Sequence, residues 1–214
     1  MHKSLNRLTT AIVSLALALF LISLTVKTVL AFRQLYYFDI EYLKIAENYN
    51  MSKEEIIKNY NILIDYIQDR KITKLSMPSF KVSREGEIHF AEVKNIFMNF
   101  NSLLYITGFL SLIGVIYKVL QKNFLFLKWS FAALISIPVA LSIPFAINFD
   151  KSFTAFHKIF FNNDYWEFDP ISDPIINVLP QEFFFHCAVM ILVLIALFSI
   201  ILYFIYRKTM KNTV

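Results

Sequence analysis

Glycine occurs only three times in this chain of 214 residues, and cysteine once. So few glycines leave no glycine-rich phosphate loop of either the P-loop or the dinucleotide-binding type. The single cysteine, Cys187, lies inside an apolar run, so neither an internal disulfide nor zinc-finger spacing can arise. A lone apolar cysteine reads as a small packed side chain. No serine stands in a G-x-S-x-G elbow, and no H-E-x-x-H metal motif is present. Charge is also scarce, with 17% charged residues against 57% hydrophobic. That balance excludes an ordinary soluble domain and describes a membrane protein.

The apolar residues gather into four runs long enough to cross a hydrocarbon core of about 30 Å, which takes about 20 residues each. They fall at about 9–32, 102–120, 129–148 and 183–206. The first is preceded by Lys3 and Arg7, as in a signal peptide, but it is too long and lacks a small-x-small cleavage site, so it reads as a retained helix. Lys3, Arg7, Lys118, Lys122, Lys128, Arg207, Lys208 and Lys211 sit at the termini and in the short middle connection, with no acid among them. The connection at about 33–101 balances ten basic against ten acidic residues, and that at about 149–182 has two against six. The positive-inside rule then puts both termini in the cytoplasm and the two large loops outside. The net charge of +5 is this topological signal. Without a continuous basic stripe, it does not point to nucleic acid.

The expected fold is mainly α: one four-helix transmembrane domain over 1–214, capped by a small outer domain with an amphipathic helix and a short β-hairpin. Ser52-Lys53-Glu54-Glu55 forms a capping box, with Met51 and Ile56 as its hydrophobic staple. Ile56, Tyr60, Leu63, Ile64 and Ile67 then recur on one helical face, expected to cover the transmembrane helices or lie on the membrane surface. Phe80, Val82, Ile88 and Phe90 flank Arg84-Glu85-Gly86-Glu87, which predicts the hairpin and places His89 at a strand-to-helix junction. Pro138 and Pro144 interrupt the third span, as ordinary transmembrane prolines or as kinks opening a lateral cleft for an acyl chain.

Four histidines are available. His2 is terminal and reads as a bystander, and His186, among phenylalanines at the start of the fourth span, reads as an interfacial or packing residue. His89 and His157 remain, one in each outer loop and each close to a span end. Without a serine elbow or an accessible cysteine, imidazole acid–base catalysis is the direct option, and it needs a substrate that brings its own nucleophile. Asp164, Asp169 and Glu87 are candidates to orient an imidazole. Asp169-Pro170 and Asp173-Pro174 equally read as turn starts, and Tyr165 and Trp166 as an interfacial aromatic belt. Two alternatives stay open: a metal-dependent membrane hydrolase using the histidines with Asp164 or Asp169, and a non-enzymatic sensor or assembly protein. A transporter fits poorly, because Lys27 is nearly the only intramembrane charge.

"GEIHFAEVKNIF" and "FHKIFFNNDYWEFDPISDPIINVLPQEFF", within this four-span layout, resemble the bacterial lipoprotein intramolecular transacylases. The resemblance implies an enzyme of the cell membrane that needs no cofactor or metal. Its substrate is a lipoprotein whose amino-terminal cysteine carries a diacylglyceryl thioether and a free α-amine. The sn-2 acyl chain moves onto that amine, giving an N-acyl, S-monoacylglyceryl (lyso-form) lipoprotein. The family's two catalytic histidines match His89 and His157, so the site lies at the outer leaflet, in contact with membrane lipid. His157 as base and His89 as oxyanion or alkoxide partner is one assignment, and the reverse is the other. Arg84 and Lys94 are candidate charge helpers. Phe160, Phe161, Tyr165 and Trp166 are a candidate lid against water.

Overall fold

A computed structural model describes residues 2–211, the side chain of His2 lying outside the description. Among these residues the chain forms nine helices: α1 (His2–Ala31), α2 (Gln34–Tyr42), α3 (Ile45–Asn48), α4 (Lys53–Gln68), α5 (Arg84–Leu120), α6 (Leu125–Ile147), α7 (Phe149–Phe160), α8 (Ile175–Val178) and α9 (Gln181–Lys211). Four of them, α1, α5, α6 and α9, are long and apolar enough to cross a membrane. The chain divides into two compact units: residues up to Lys27, Phe100–Ile147 and Met190 onward form one; Thr28–Asn99 and Asn148–Val189 form the other.

In the first unit, Val13, Ala18, Phe126, Leu127, Leu134, Ile195 and Leu202 make a buried seam. Outward positions such as Ile106, Phe109, Leu112 and Phe204 leave large apolar side chains exposed, as lipid-facing helices require. With lipid tails as apolar as leucine, helix contacts here rely on close approach and polar links. A Cβ at Gly114 would stand 2.5 Å from Val13 Cγ2, and one at Gly108 would stand 3.0 Å from Phe20. The Ser14 hydroxyl donates to the Phe126 carbonyl at 3.1 Å, and that of Ser130 to the Ser14 carbonyl at 3.2 Å. Lys118 is fully buried, its ammonium donating to Asn6 Oδ1 and Thr9 Oγ1, each at 2.7 Å. Helix α6 continues through Pro138 and Pro144.

In the second unit, α4 begins where its capping signal lies, with Ser52 Oγ accepting the Glu55 N–H at 3.2 Å. Its apolar face (Ile56, Tyr60, Leu63, Ile64 and Ile67) is buried in the unit's own core with Tyr36, Ile40, Phe90, Ile175, Val178 and Phe183. Tyr36 stacks on Tyr60 at 3.9 Å between centroids, and its hydroxyl donates to the Val178 carbonyl at 2.5 Å. Cys187 packs against the same core.

The expected hairpin is not formed, and no strand occurs among the described residues. Arg84-Glu85-Gly86-Glu87 is the first turn of α5. Ser83 caps it: its hydroxyl accepts the Gly86 N–H at 2.9 Å, and its carbonyl accepts the Glu87 N–H at 2.9 Å. A capping hydroxyl with acids in the first turn favours a helix start over a turn between strands. Gly86 answers a packing need, since a Cβ there would stand 2.3 Å from Asp173 Oδ1. His89 therefore sits in the second turn of a helix, not at a strand end.

Candidate active site

Helix α5 brings His89 to the site and α7 brings His157, both within the second unit. The start of α5 is fastened to the loop after α7 by Asp173, which is 3% exposed and accepts the Ser83 N–H at 2.7 Å. The Ser172 hydroxyl donates to the other oxygen of that carboxylate at 3.2 Å. Asp173 itself follows a turn in which its N–H donates to the Asp169 carbonyl at 2.8 Å. The sequence pattern of two Asp-Pro turns is thus a device that holds the two histidine-bearing segments together.

The two imidazoles face one another with ring centroids 6.1 Å apart and planes inclined by 30°. Phe161 lies against both, 4.8 Å from His89 and 5.5 Å from His157. Phe168 adds an edge contact to His89 at 5.3 Å, and Phe153 and Trp166 cover His157 at 4.2 and 4.8 Å. His89 is 6% exposed and its Nδ1 is buried without a hydrogen-bond partner. His157 is half-buried, with Nδ1 2.7 Å from the Phe153 carbonyl oxygen. A carbonyl only accepts, so Nδ1 carries the proton, and in the neutral ring Nε2 keeps its lone pair. Burial moves the His157 pKa below the ordinary histidine value, and the Phe153 carbonyl opposes this in part. The ring is thereby held neutral at neutral pH, with its basic nitrogen fixed.

Of the carboxylates named as orienting candidates, none is the partner of His157 Nδ1, which faces the Phe153 carbonyl. Asp164, Asp169 and Glu87 are exposed, and Asp169 Oδ1 accepts the Ile171 N–H at 3.1 Å as a turn residue does. A backbone carbonyl one helical turn back does the orienting of His157 in their place. Lys94 is committed to the Ile72 carbonyl, with its ammonium over the Tyr66 ring at 4.3 Å. Arg84 is exposed in the first turn of α5. Of the lid candidates, Phe161 and Trp166 cover the imidazoles, while Phe160 and Tyr165 are exposed.

Two features escaped sequence reasoning. Glu92 accepts Asn163 Nδ2 at 2.9 Å through Oε1, and its Oε2 is buried without a partner. The Asn163 carbonyl in turn accepts Trp166 Nε1 at 3.1 Å. Reading Ser83 as a helix cap would have put His89 and Glu92 on one face. The second feature is His186, whose Nδ1 lies 2.8 Å from Oδ1 of Asp39, a fully buried carboxylate. Burial pushes the Asp39 carboxyl up and the His186 hydrogen bond pulls it back. At 147 positions apart in sequence, the pair has no local pattern to signal it.

A family model described as lipoprotein intramolecular transacylase Lit matches residues 11–184. The in meso structure of the membrane integral lipoprotein intramolecular transacylase Lit from Bacillus cereus is 42% identical, covers 99% of this chain and 98% of its own, and superposes with a TM-score of 0.95. A variant of that protein with one histidine changed to alanine is 41% identical over 99% of this chain and 96% of its own, with a TM-score of 0.92. A protein of Aquifex aeolicus (strain VF5), described only as uncharacterized, is 26% identical over 168 residues, 74% of each chain.

Proposed function

This chain belongs to the lipoprotein intramolecular transacylase family, and from that premise we propose the chemistry its two histidines perform. The protein is a multi-pass membrane acyltransferase acting on lipoproteins. In our reading the substrate is a diacylglyceryl-cysteine lipoprotein with a free α-amine, and the sn-2 acyl chain is what moves. His157 Nε2 takes a proton from the amine as its nitrogen attacks the ester carbonyl carbon. The tetrahedral oxyanion collapses, the carbon–oxygen bond to glycerol breaks, and the alkoxide takes that proton back from His157. An amide and a free glycerol hydroxyl result, and the proton count is unchanged. His89, with its unpartnered Nδ1, stands as the donor to the oxyanion or the departing alkoxide. The observation that carries this assignment is the hydrogen bond from His157 Nδ1 to the Phe153 carbonyl, which leaves Nε2 as the base.

Donor ester and acceptor amine belong to one molecule, so holding them together supplies much of the rate without an enzyme nucleophile. Aromatic rings around the imidazoles exclude the water that would otherwise hydrolyse the ester. We further propose that both termini are cytoplasmic, that the site opens at the outer leaflet, and that membrane lipid bathes the substrate's chains there. Helix α7 supports the last point: it leaves Phe156, Ile159 and Phe160 exposed, as a helix at a membrane interface does.

The test is tandem mass spectrometry of a lipoprotein's amino-terminal peptide, from cells without other N-acylating activity. Transfer leaves the mass unchanged, so fragments must locate the chain. Relocation from glycerol to nitrogen, abolished by His157→Gln, is the expected result. A peptide that keeps both glycerol esters and a free amine, with the protein present in the membrane, would overturn the reading.

A further inference from the structure

We propose that Glu92 receives the substrate's free α-amine. This deepens the acyl-transfer reading above and rests on it. Two buried polar atoms on one stripe of α5 have no hydrogen-bond partner, His89 Nδ1 and Glu92 Oε2. Residues three apart on a helix are neighbours on one face. The opposite oxygen of the Glu92 carboxylate is fixed by Asn163 Nδ2 at 2.9 Å. Asn163 has no freedom to turn and serve the orphaned oxygen, because its own Oδ1 accepts the Tyr165 N–H at 3.1 Å. Its carbonyl holds Trp166 Nε1, and the Trp166 ring lies 4.8 Å from that of His157. Glu92 is thus joined through Asn163 and Trp166 to the base, and through its own helix to the second imidazole.

A buried carboxylate oxygen without a donor is a costly arrangement in a native protein, and it calls for a partner. The nearby cation on the same helix, Lys94, is already spent on the Ile72 carbonyl and the Tyr66 ring. The missing partner is a small group with N–H donors and positive charge. A primary α-amine, with a pKa of about 7.7–8.0, is largely ammonium at neutral pH and fits that description. The ammonium releases its extra proton to solvent, and the same oxygen then accepts a hydrogen bond from the neutral amine. The second proton passes through His157 to the glycerol alkoxide, so transfer from an ammonium substrate frees one proton overall. The product amide has lost the charge, which lets it leave. The site should therefore distinguish a free amino terminus from an acylated one.

Two measurements test this on the full-length protein in detergent or lipid nanodiscs. Glu92→Gln replaces the acceptor by a neutral amide of the same shape. The expected result is a rise in KM for a free-amine diacyl lipopeptide of about ten-fold or more, the usual weight of a hydrogen bond to a charged group, with kcat changed less. An unchanged KM would overturn the proposal. If the variant fails to fold, competition against the unaltered enzyme decides, using dialkyl-ether lipopeptides that cannot transfer a chain. The free-amine ether should inhibit at least ten-fold more strongly than its N-acetyl counterpart, and equal inhibition overturns the proposal. His157→Gln run in parallel separates the two claims. Loss of transfer there with an unchanged KM in Glu92→Gln sinks only the role of Glu92, whereas persistent transfer in His157→Gln sinks the catalytic reading beneath it.

Discussion

Replacing Phe161 by alanine should turn part of the transfer reaction into hydrolysis. Phe161 is 5% exposed and touches both imidazoles. Removing a buried phenylalanine ring costs about 3–5 kcal/mol when the surroundings do not collapse. Of that, aromatic pairing beyond simple burial accounts for about 0.5–1.5 kcal/mol per contact. At roughly 2–4 °C per kcal/mol for a chain of this size, Tm falls by about 6–20 °C. The backbone bond from the Phe161 N–H to the His157 carbonyl, 2.8 Å, survives the change, so α7 keeps its last turn. What is lost is the ring that lies against both histidines, and a cavity of that size bordered by two imidazoles admits water. Mass spectrometry then separates three species: unreacted diacyl peptide, N-acyl lyso-peptide, and deacylated peptide with a free amine. The last should rise at the expense of the second, and Phe161→Leu, which keeps most of the volume, should restore the balance. If Phe161→Ala folds with an unchanged Tm and an unchanged product ratio, this ring does not exclude water from the site.

Three further outcomes follow from the geometry. In histidine NMR of the protein without substrate, His157 should show the Nδ1-protonated tautomer and titrate below the ordinary value of about 6.5, because burial disfavours its charge; a midpoint above 6.5 would contradict the site as described. The sign carries over to stability: the folded state binds fewer protons than the unfolded one, so the contribution of His157 is present above about pH 6.5 and declines as pH falls through that value. Gly86→Ala should destabilise, because a Cβ 2.3 Å from Asp173 Oδ1 costs about 1–3 kcal/mol in overpacking, more than the roughly 1 kcal/mol that alanine adds to a helix; added to Asp173→Ala it should cost far less, a non-additivity that thermal unfolding of the double variant reads directly. Ser52→Ala removes the α4 cap and should cost about 1 kcal/mol while leaving the acyl-transfer rate of the folded protein untouched.

The spans and α4 were legible because each rests on a local rule. Hydropathy over about 20 residues marks a membrane helix, and Ser52 with Glu55 marks a helix start. The hairpin was misread because Phe80, Val82, Ile88 and Phe90 alternate and a glycine stands between them, which is also what a loop running into a capped helix looks like. What decides between the two is Asp173, about ninety residues away in sequence, and no local window contains it. The same misreading hid Glu92: a residue's face has no meaning until the helix phase is set. The histidine pair was visible by elimination and by resemblance, but its tautomer was not, since the orienting atom is a backbone carbonyl that every residue possesses. Asp39 with His186 lay beyond reach for the same reason as Asp173. Long-range polar pairs are chosen by the fold and leave no periodic trace.

All three glycines of the chain lie on α5, and each meets a side chain at a distance no ordinary Cβ tolerates comfortably. Much of that helix nevertheless presents exposed side chains, among them Tyr105, Phe109 and Leu112. A saturation scan of this gene would therefore produce an inverted map along α5. Its exposed large residues would accept many replacements, and the positions with no side chain at all would accept almost none. Natural variation should follow the same rule, with position 86 gaining a side chain only in lineages where position 173 has first become smaller.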